Sequence, residues 1–249
     1  MSNIRKESEK QFFDYAFEID ARAHLDKYYS IVESSRICYE NYIKDNSKDK
    51  IILEYGCGRG EYAFKIKDYC QKVIGIDISK VGIRIANEQA QKLGITNTEF
   101  YEMDAENLSF NDNSFDLICG NCILHHLNLE NAMNEIVRVL KPNGKAVFIE
   151  PLGLNPAINL YRKLTPKLRT EDEHPLKLNE LKFIQSFFKI SNNKYFHLFS
   201  LLAIPFRKFK KFNKILNFFD NFDSFAIKYF PFIAPLSWMV VIILEHPKK

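Results

Sequence analysis

A chain of 249 residues, 46% apolar and 27% charged, is long enough for one sizeable domain with elaborations and excludes a disordered polymer. Its net charge of +4 is too small to imply nucleic-acid binding by itself, and no interleaved basic and aromatic recognition pattern runs through its first two-thirds. Five cysteines, an odd number set mostly in predicted core elements, predict a reducing, cytoplasmic compartment. Residues 1–10 are polar and charged and show no signal or transit segment. The longest apolar stretch, 229–244, is interrupted by Pro231, Pro235 and Ser237, so no transmembrane span is expected.

In chain order, residues 9–42 carry a helical pattern ahead of the first strand and are expected to cover a cleft as an N-terminal lid, with Tyr28, Tyr29 and Arg36 facing inward. Strands near 51–55, 73–77, 98–102, 115–121 and 145–150 alternate with helical stretches, the pattern of βαβ units and a parallel sheet. A helix is expected over 178–189, a sixth strand over 195–202 and a seventh over 238–245. The first strand, Ile51 to Tyr55, runs into Gly56-Cys57-Gly58-Arg59-Gly60. Glycines at alternate positions permit positive φ and let a ligand lie directly on the main chain. The second strand ends in Asp77, 19 residues beyond Gly58, where a carboxylate can accept both ribose hydroxyls of an adenosine. The alternative role for this segment is a helix N-cap, for which Ser79 is the better candidate. A third strand ends in Asp104, which can accept an adenine amine. Glycine, acid and acid at three strand ends favour a nucleoside site. The turn reads G-x-G-x-G rather than G-x-G-x-x-G, which argues against a dinucleotide pyrophosphate on a helix N-terminus.

From about Lys50 to Pro151 these motifs, with 108–118 approaching the fourth strand and Arg138-Val139-Leu140-Lys141-Pro142-Asn143-Gly144 turning into the fifth, resemble the class I S-adenosylmethionine-dependent methyltransferases. The resemblance implies a Rossmann-like α/β fold: a seven-stranded, mostly parallel sheet with helices on both faces, an N-terminal helical lid, and helical insertions after strands five and six. It implies S-adenosylmethionine as cofactor and S-adenosylhomocysteine as product. The implied contacts are Glu54, Gly56, Cys57, Gly58 and Gly60 at the turn, Asp77 with Ile78, Asp104 with Ala105, and Asn121. Glu54 is a candidate anchor for the methionyl amino group. The single domain divides into a lid (1–48), a cofactor core (49–151), acceptor-side insertions (152–190 and 203–236) and terminal strands (191–202 and 237–247).

Cys119-Gly120-Asn121-Cys122-Ile123-Leu124-His125-His126 closes the fourth strand. It has zinc-like atoms, but strand alternation sends Cys119 and Cys122 to different faces, and no metal is expected. Substrates of open α/β sheets bind outside the carboxyl ends of strands, so His126 and His125 are candidate general bases for a hydroxyl acceptor; His174 is a further one. Arg162, Arg169 and Glu173 in the loops after strand five are candidate acceptor contacts.

Fourteen of the 22 phenylalanines lie between Phe183 and Phe232. Over 204–222 they recur at helical spacing among Arg207, Lys208, Lys210, Lys211 and Lys214, an amphipathic basic helix. It is expected to pack on the core or across a homodimer; the sharper reading is contact with an anionic membrane holding a lipid-like acceptor. The function expected is O-methylation of a small molecule: a secondary metabolite, sugar or lipid precursor. The alternatives are a noncatalytic cofactor-binding scaffold and N- or C-methylation, including small-RNA modification. DNA is disfavoured because no N-P-P-Y-like clamp follows strand four, where the chain reads Asn121-Cys122-Ile123-Leu124.

Overall fold

The computed structural model describes residues 2–19, 30–165 and 174–249. Tyr28, Tyr29, Arg169 and Glu173 therefore lie outside the described residues. Two helices, α1 (Ser2–Glu18) and α2 (Glu33–Asn46), precede β1 (Ile51–Tyr55), α3 (Glu61–Ile66), β2 (Lys72–Asp77), α4 (Lys80–Lys92), β3 (Thr98–Glu102) and β4 (Phe115–Asn121). There follow α5 (Leu129–Val139), β5 (Leu140–Pro151), α6 (Pro156–Leu164), α7 (Leu178–Ser186), β6 (Phe188–Phe196), α8 (Phe212–Tyr229) and β7 (Met239–Pro247).

The seven strands form one sheet in the order β3-β2-β1-β4-β5-β7-β6. β1 to β5 are parallel; β7 is inserted between β5 and β6 and runs antiparallel to both. The reversal of strand order at β1 and β4 opens the crevice in which such sheets bind ligands, outside the carboxyl ends of the strands. Alternation sends Leu53, Tyr55, Ile118, Phe148 and Ile242 to one face, against Met133 and Ile136 of α5 and Leu181 and Ile184 of α7. It sends Ile52, Leu117, Val147 and Val241 to the other, against Tyr39 and Ile43 of α2 and Ile83 and Ala86 of α4. Covering both faces explains why these strands read as continuous apolar runs.

β1 to β4 fall where the sequence places them and β5 begins five residues earlier, at Leu140, but the sixth strand is displaced. It spans Phe188–Phe196 rather than 195–202, and the preceding helix stops at Ser186. Its polar run Lys189 to Lys194 belongs to a sheet edge, where one side meets solvent and no apolar alternation is needed. Residues 198–200, Leu-Phe-Ser, leave the ladder because Asp223 of α8 takes their backbone N–H groups, at 3.0 Å from Leu198 and 3.2 Å from Ser200, after His197 turns the chain at φ +65°. His197 is buried between the hydroxyls of Ser35 (2.9 Å) and Ser200 (3.1 Å), which ties α2 to this segment. The expected basic helix is likewise displaced: a 3-10 turn over 200–206 precedes α8.

Candidate active site

Glycine conformation shapes the mouth of the crevice. Gly56, Gly58 and Gly60 all have positive φ (+66°, +52° and +78°), and a Cβ at Gly56 would stand 2.8 Å from the Ile123 side chain. The turn is clasped to the second strand: Gly58 N–H donates to Asp77 Oδ2 and Ser79 N–H to Asp77 Oδ1, both at 2.8 Å. Ser79 caps α4 by accepting from Gly82 N–H at 3.0 Å, so the acid is available for the turn rather than for the helix. Asp104 Oδ1 accepts from Glu106 N–H at 2.9 Å, beside buried Ala105. Ile78 is half-buried, and Asn121 is exposed at the end of β4.

Glu54 sits under the turn, fully buried in β1. Burial pushes its carboxyl up to about 8, with the Ala63 N–H opposing. Its Oε2 has no hydrogen-bond partner among the described residues. Cys57, of the same turn, is buried with its thiol pushed well up by burial, as is Cys119 beneath it; none of the five cysteines forms a disulfide.

α1 lies across the carboxyl ends of β2, β3 and β4. Lys6 Nζ reaches Asp104 Oδ2 at 2.7 Å and Glu106 Oε2 at 3.0 Å, Arg5 pairs with Glu106, and Lys10 with Glu102. Burial raises the Glu106 carboxyl, but the Asn128 N–H and the cations of Lys6 and Arg5 outweigh it and hold it below the ordinary range. Asp14 bonds the Ser79 hydroxyl and accepts from Val81 N–H at 3.1 Å. Phe17 rests on the turn, its ring 3.0 Å from where a Gly58 Cβ would be.

The two adjacent histidines part company. His126 turns to α1, with Nδ1 3.2 Å from a Glu9 carboxylate oxygen and its ring edge-on to Phe13. His125 turns inward: its Nδ1 is 2.6 Å from Oε2 of Glu150, at the end of β5. Glu150 is fully buried, and its Oε1 also accepts from Ile123 N–H (2.9 Å) and Leu124 N–H (2.8 Å). A carboxylate only accepts, so Nδ1 of the neutral ring is the donor and Nε2 carries the lone pair. His125 and His174 line one cavity of ≈ 300 Å³, together with Arg5, Asn128 and Glu180. His174 is exposed there, 3.8 Å from Glu180. His126 and Arg162, the latter in the last turn of α6, are not among the residues lining it.

Glu150 is the residue that sequence reasoning missed. Its signal matches that of Asp77, an acid closing an apolar strand, here Val147-Phe148-Ile149-Glu150.

Residues 46–181, more than half the chain, match the model of a family described as a methyltransferase domain. An uncharacterized methyltransferase of Bacillus subtilis, YcgJ, is 35% identical over 100 residues, 40% of this chain and 40% of that protein. A demethylmenaquinone methyltransferase of Oceanobacillus iheyensis is 28% identical over 171 residues, 63% of this chain and 71% of the relative. Among solved structures, phosphoethanolamine N-methyltransferase 2 of Haemonchus contortus, with phosphomonomethylethanolamine and S-adenosylhomocysteine bound, shares the fold. The TM-score is 0.60 at 16% identity, over 87% of this chain and 53% of that one. The match to YcgJ takes in about two fifths of the relative's length. On the family match and the sheet order, this chain belongs to the methyltransferase-domain family.

Proposed function

We propose that the protein transfers the methyl group of S-adenosylmethionine to a hydroxyl of a small acceptor, a secondary metabolite, sugar or lipid precursor, in the cytoplasm. The observation that carries this reading is the turn Gly56 to Gly60 clasped to Asp77, with Asp104 at the next strand end. The chain's residues fit the cofactor's functional groups. Asp77 and Asp104 offer acceptor oxygens for ribose hydroxyls and an adenine amine, and the glycines leave main chain bare beside them. The unpartnered Oε2 of buried Glu54 suits an ammonium. Bound S-adenosylmethionine supplies a methyl already made electrophilic by its sulfonium.

The protein has then to align the acceptor, exclude water and take a proton. His125 is the base in this reading, because Glu150 fixes its tautomer and the ring borders a cavity large enough for a small acceptor. Relatives named for demethylmenaquinone and for phosphoethanolamine act on different acceptors, so membership of the family leaves the acceptor open.

Isothermal calorimetry of the purified protein with S-adenosylmethionine and S-adenosylhomocysteine tests the cofactor. Saturable binding that Asp77→Ala weakens about tenfold or more is expected from losing charge-assisted hydrogen bonds. A folded protein that binds neither ligand would overturn the methyltransferase reading in favour of a scaffold.

A further inference from the structure

The segment between β6 and β7 buries little of its aromatic content. On α8, Phe218, Phe222, Phe225 and Tyr229 follow the spacing i, i+4, i+7, i+11 and so share one face, and all four are exposed. The opposite face carries the buried contacts, Leu216, Asp223 and Ala226. Phe209 before the helix and Phe232 after it are 63% and 78% exposed. A single exposed phenylalanine needs no explanation; an aromatic stripe flanked by further exposed rings marks an interaction surface.

Charge identifies the occupant. Residues 199–236 contain six cations, Arg207, Lys208, Lys210, Lys211, Lys214 and Lys228, and only two acids. Both acids face inward: Asp223 holds the N–H groups of 198–200, and Asp220 lies 3.9 Å from the buried His197 ring. Within this segment the outward-facing charge is therefore entirely positive. A symmetric dimer through this face would set cations against cations, since a twofold interface uses the same patch twice. An anionic bilayer offers aromatic side chains an apolar boundary and lysines a negative potential at once. No helix among the described residues is long and apolar enough to cross a membrane, so the contact is peripheral.

Topology aims this surface. Phe196 and Pro151 both pair with Met239, so β6 ends and β7 begins at the carboxyl end of β5. The segment thus leaves the sheet at the end that carries Gly58, Asp77 and Glu150. Asn155, which caps α6, donates to Leu236 O at 2.9 Å, and α6 leaves Leu160 and Leu164 exposed.

We infer that residues 199–236 seat the protein on an anionic phospholipid surface with the carboxyl end of its sheet toward the lipid; that the acceptor is drawn from that surface rests on the methyl-transfer reading above. Cosedimentation of the full chain with phosphatidylcholine vesicles, with and without phosphatidylglycerol, at low and high salt, tests the surface without calling on turnover. Partition onto the anionic vesicles is expected, with loss in high salt. Lys208→Glu/Lys210→Glu/Lys211→Glu and Phe218→Ser/Phe225→Ser/Phe232→Ser should each weaken it about tenfold or more, with unchanged circular dichroism and unchanged calorimetric binding of S-adenosylmethionine. Wild-type protein that ignores anionic vesicles, or folded variants that partition equally well, would overturn the inference. So would light scattering that shows a dimer which only the aromatic variant dissociates. Failure of cofactor binding with vesicle binding intact would strike the methyl-transfer reading alone.

Discussion

Between β1 and β5 almost every large apolar side chain is turned into one of the two core layers, and the acids at the strand ends are held by backbone N–H groups. Between β6 and β7 the proportions invert: a small cluster around Ile31, Ala203, Ile204 and Leu216 anchors the segment, while its aromatics face outward. The first region spends its apolar residues on folding and its polar ones on a site. The second holds Asp223 inside as a cap and His197 between two hydroxyls, and presents its aromatic side chains together with its cations. Identical residue types thus serve opposite ends in the two regions, and only their partners tell which.

The same substitution should separate the regions most widely. Phe148 on β5 is fully buried against Tyr55, with ring centroids 6.4 Å apart, so Phe148→Ala is expected to cost about 3–5 kcal/mol. Phe225→Ala on α8 should stay within about 0.5 kcal/mol. Urea titration of both variants checks this, and similar losses would break the contrast.

Next in size, Glu150→Gln retains an oxygen for the Ile123 and Leu124 N–H groups but can present an amide to His125 Nδ1, which disfavours the tautomer a base requires. Methyl transfer should fall about 100-fold, with cofactor affinity unchanged by calorimetry and with an altered pH–rate profile. A variant that turns over normally would leave Glu150 a purely structural acceptor.

The effect that is smallest within any one pH unit concerns Glu54. Burial raises its carboxyl from an ordinary 4.5 to about 8, so the folded protein holds a proton that the unfolded chain releases. The stability this group contributes is complete below about pH 4.5 and is lost as pH rises towards about 8, by at most about 1.4 kcal/mol per pH unit. Glu54→Gln should flatten the dependence of Tm on pH across that window. Parallel profiles for the two proteins would show that Glu54 is ionised in the fold.

The glycine turn, Asp77, Asp104 and the five central strands are legible in the sequence because buried parallel strands leave uninterrupted apolar runs and their ends carry distinctive residues. β6 is not, because an edge strand such as Lys189 to Lys194 can be polar. The separation of His125 from His126 is not legible either: it depends on Glu150 and Glu9, which lie 25 and 117 residues from their respective histidines. Periodicity points to an aromatic helix in this stretch but sets it over 204–222 rather than Phe212–Tyr229, and a helical period says only that a face exists. Which medium it meets is decided by neighbours, and here the inward side was claimed by Leu216, Asp223 and Ala226.

The position of α1 has a thermodynamic corollary. A ligand that seeks Asp104 competes with Lys6, and one that approaches Gly58 must move Phe17. Its apparent dissociation constant is then the intrinsic value divided by the fraction of molecules in which α1 has moved aside. Two of the α1 pairs, Lys6 with Asp104 and Lys10 with Glu102, join partly exposed groups, which salt screens, so added salt loosens α1 at Asp104 even as it weakens an electrostatic hold on lipid. Ionic strength would therefore drive the two ends of this protein's chemistry in opposite directions, and an assay at one salt concentration would report only their product.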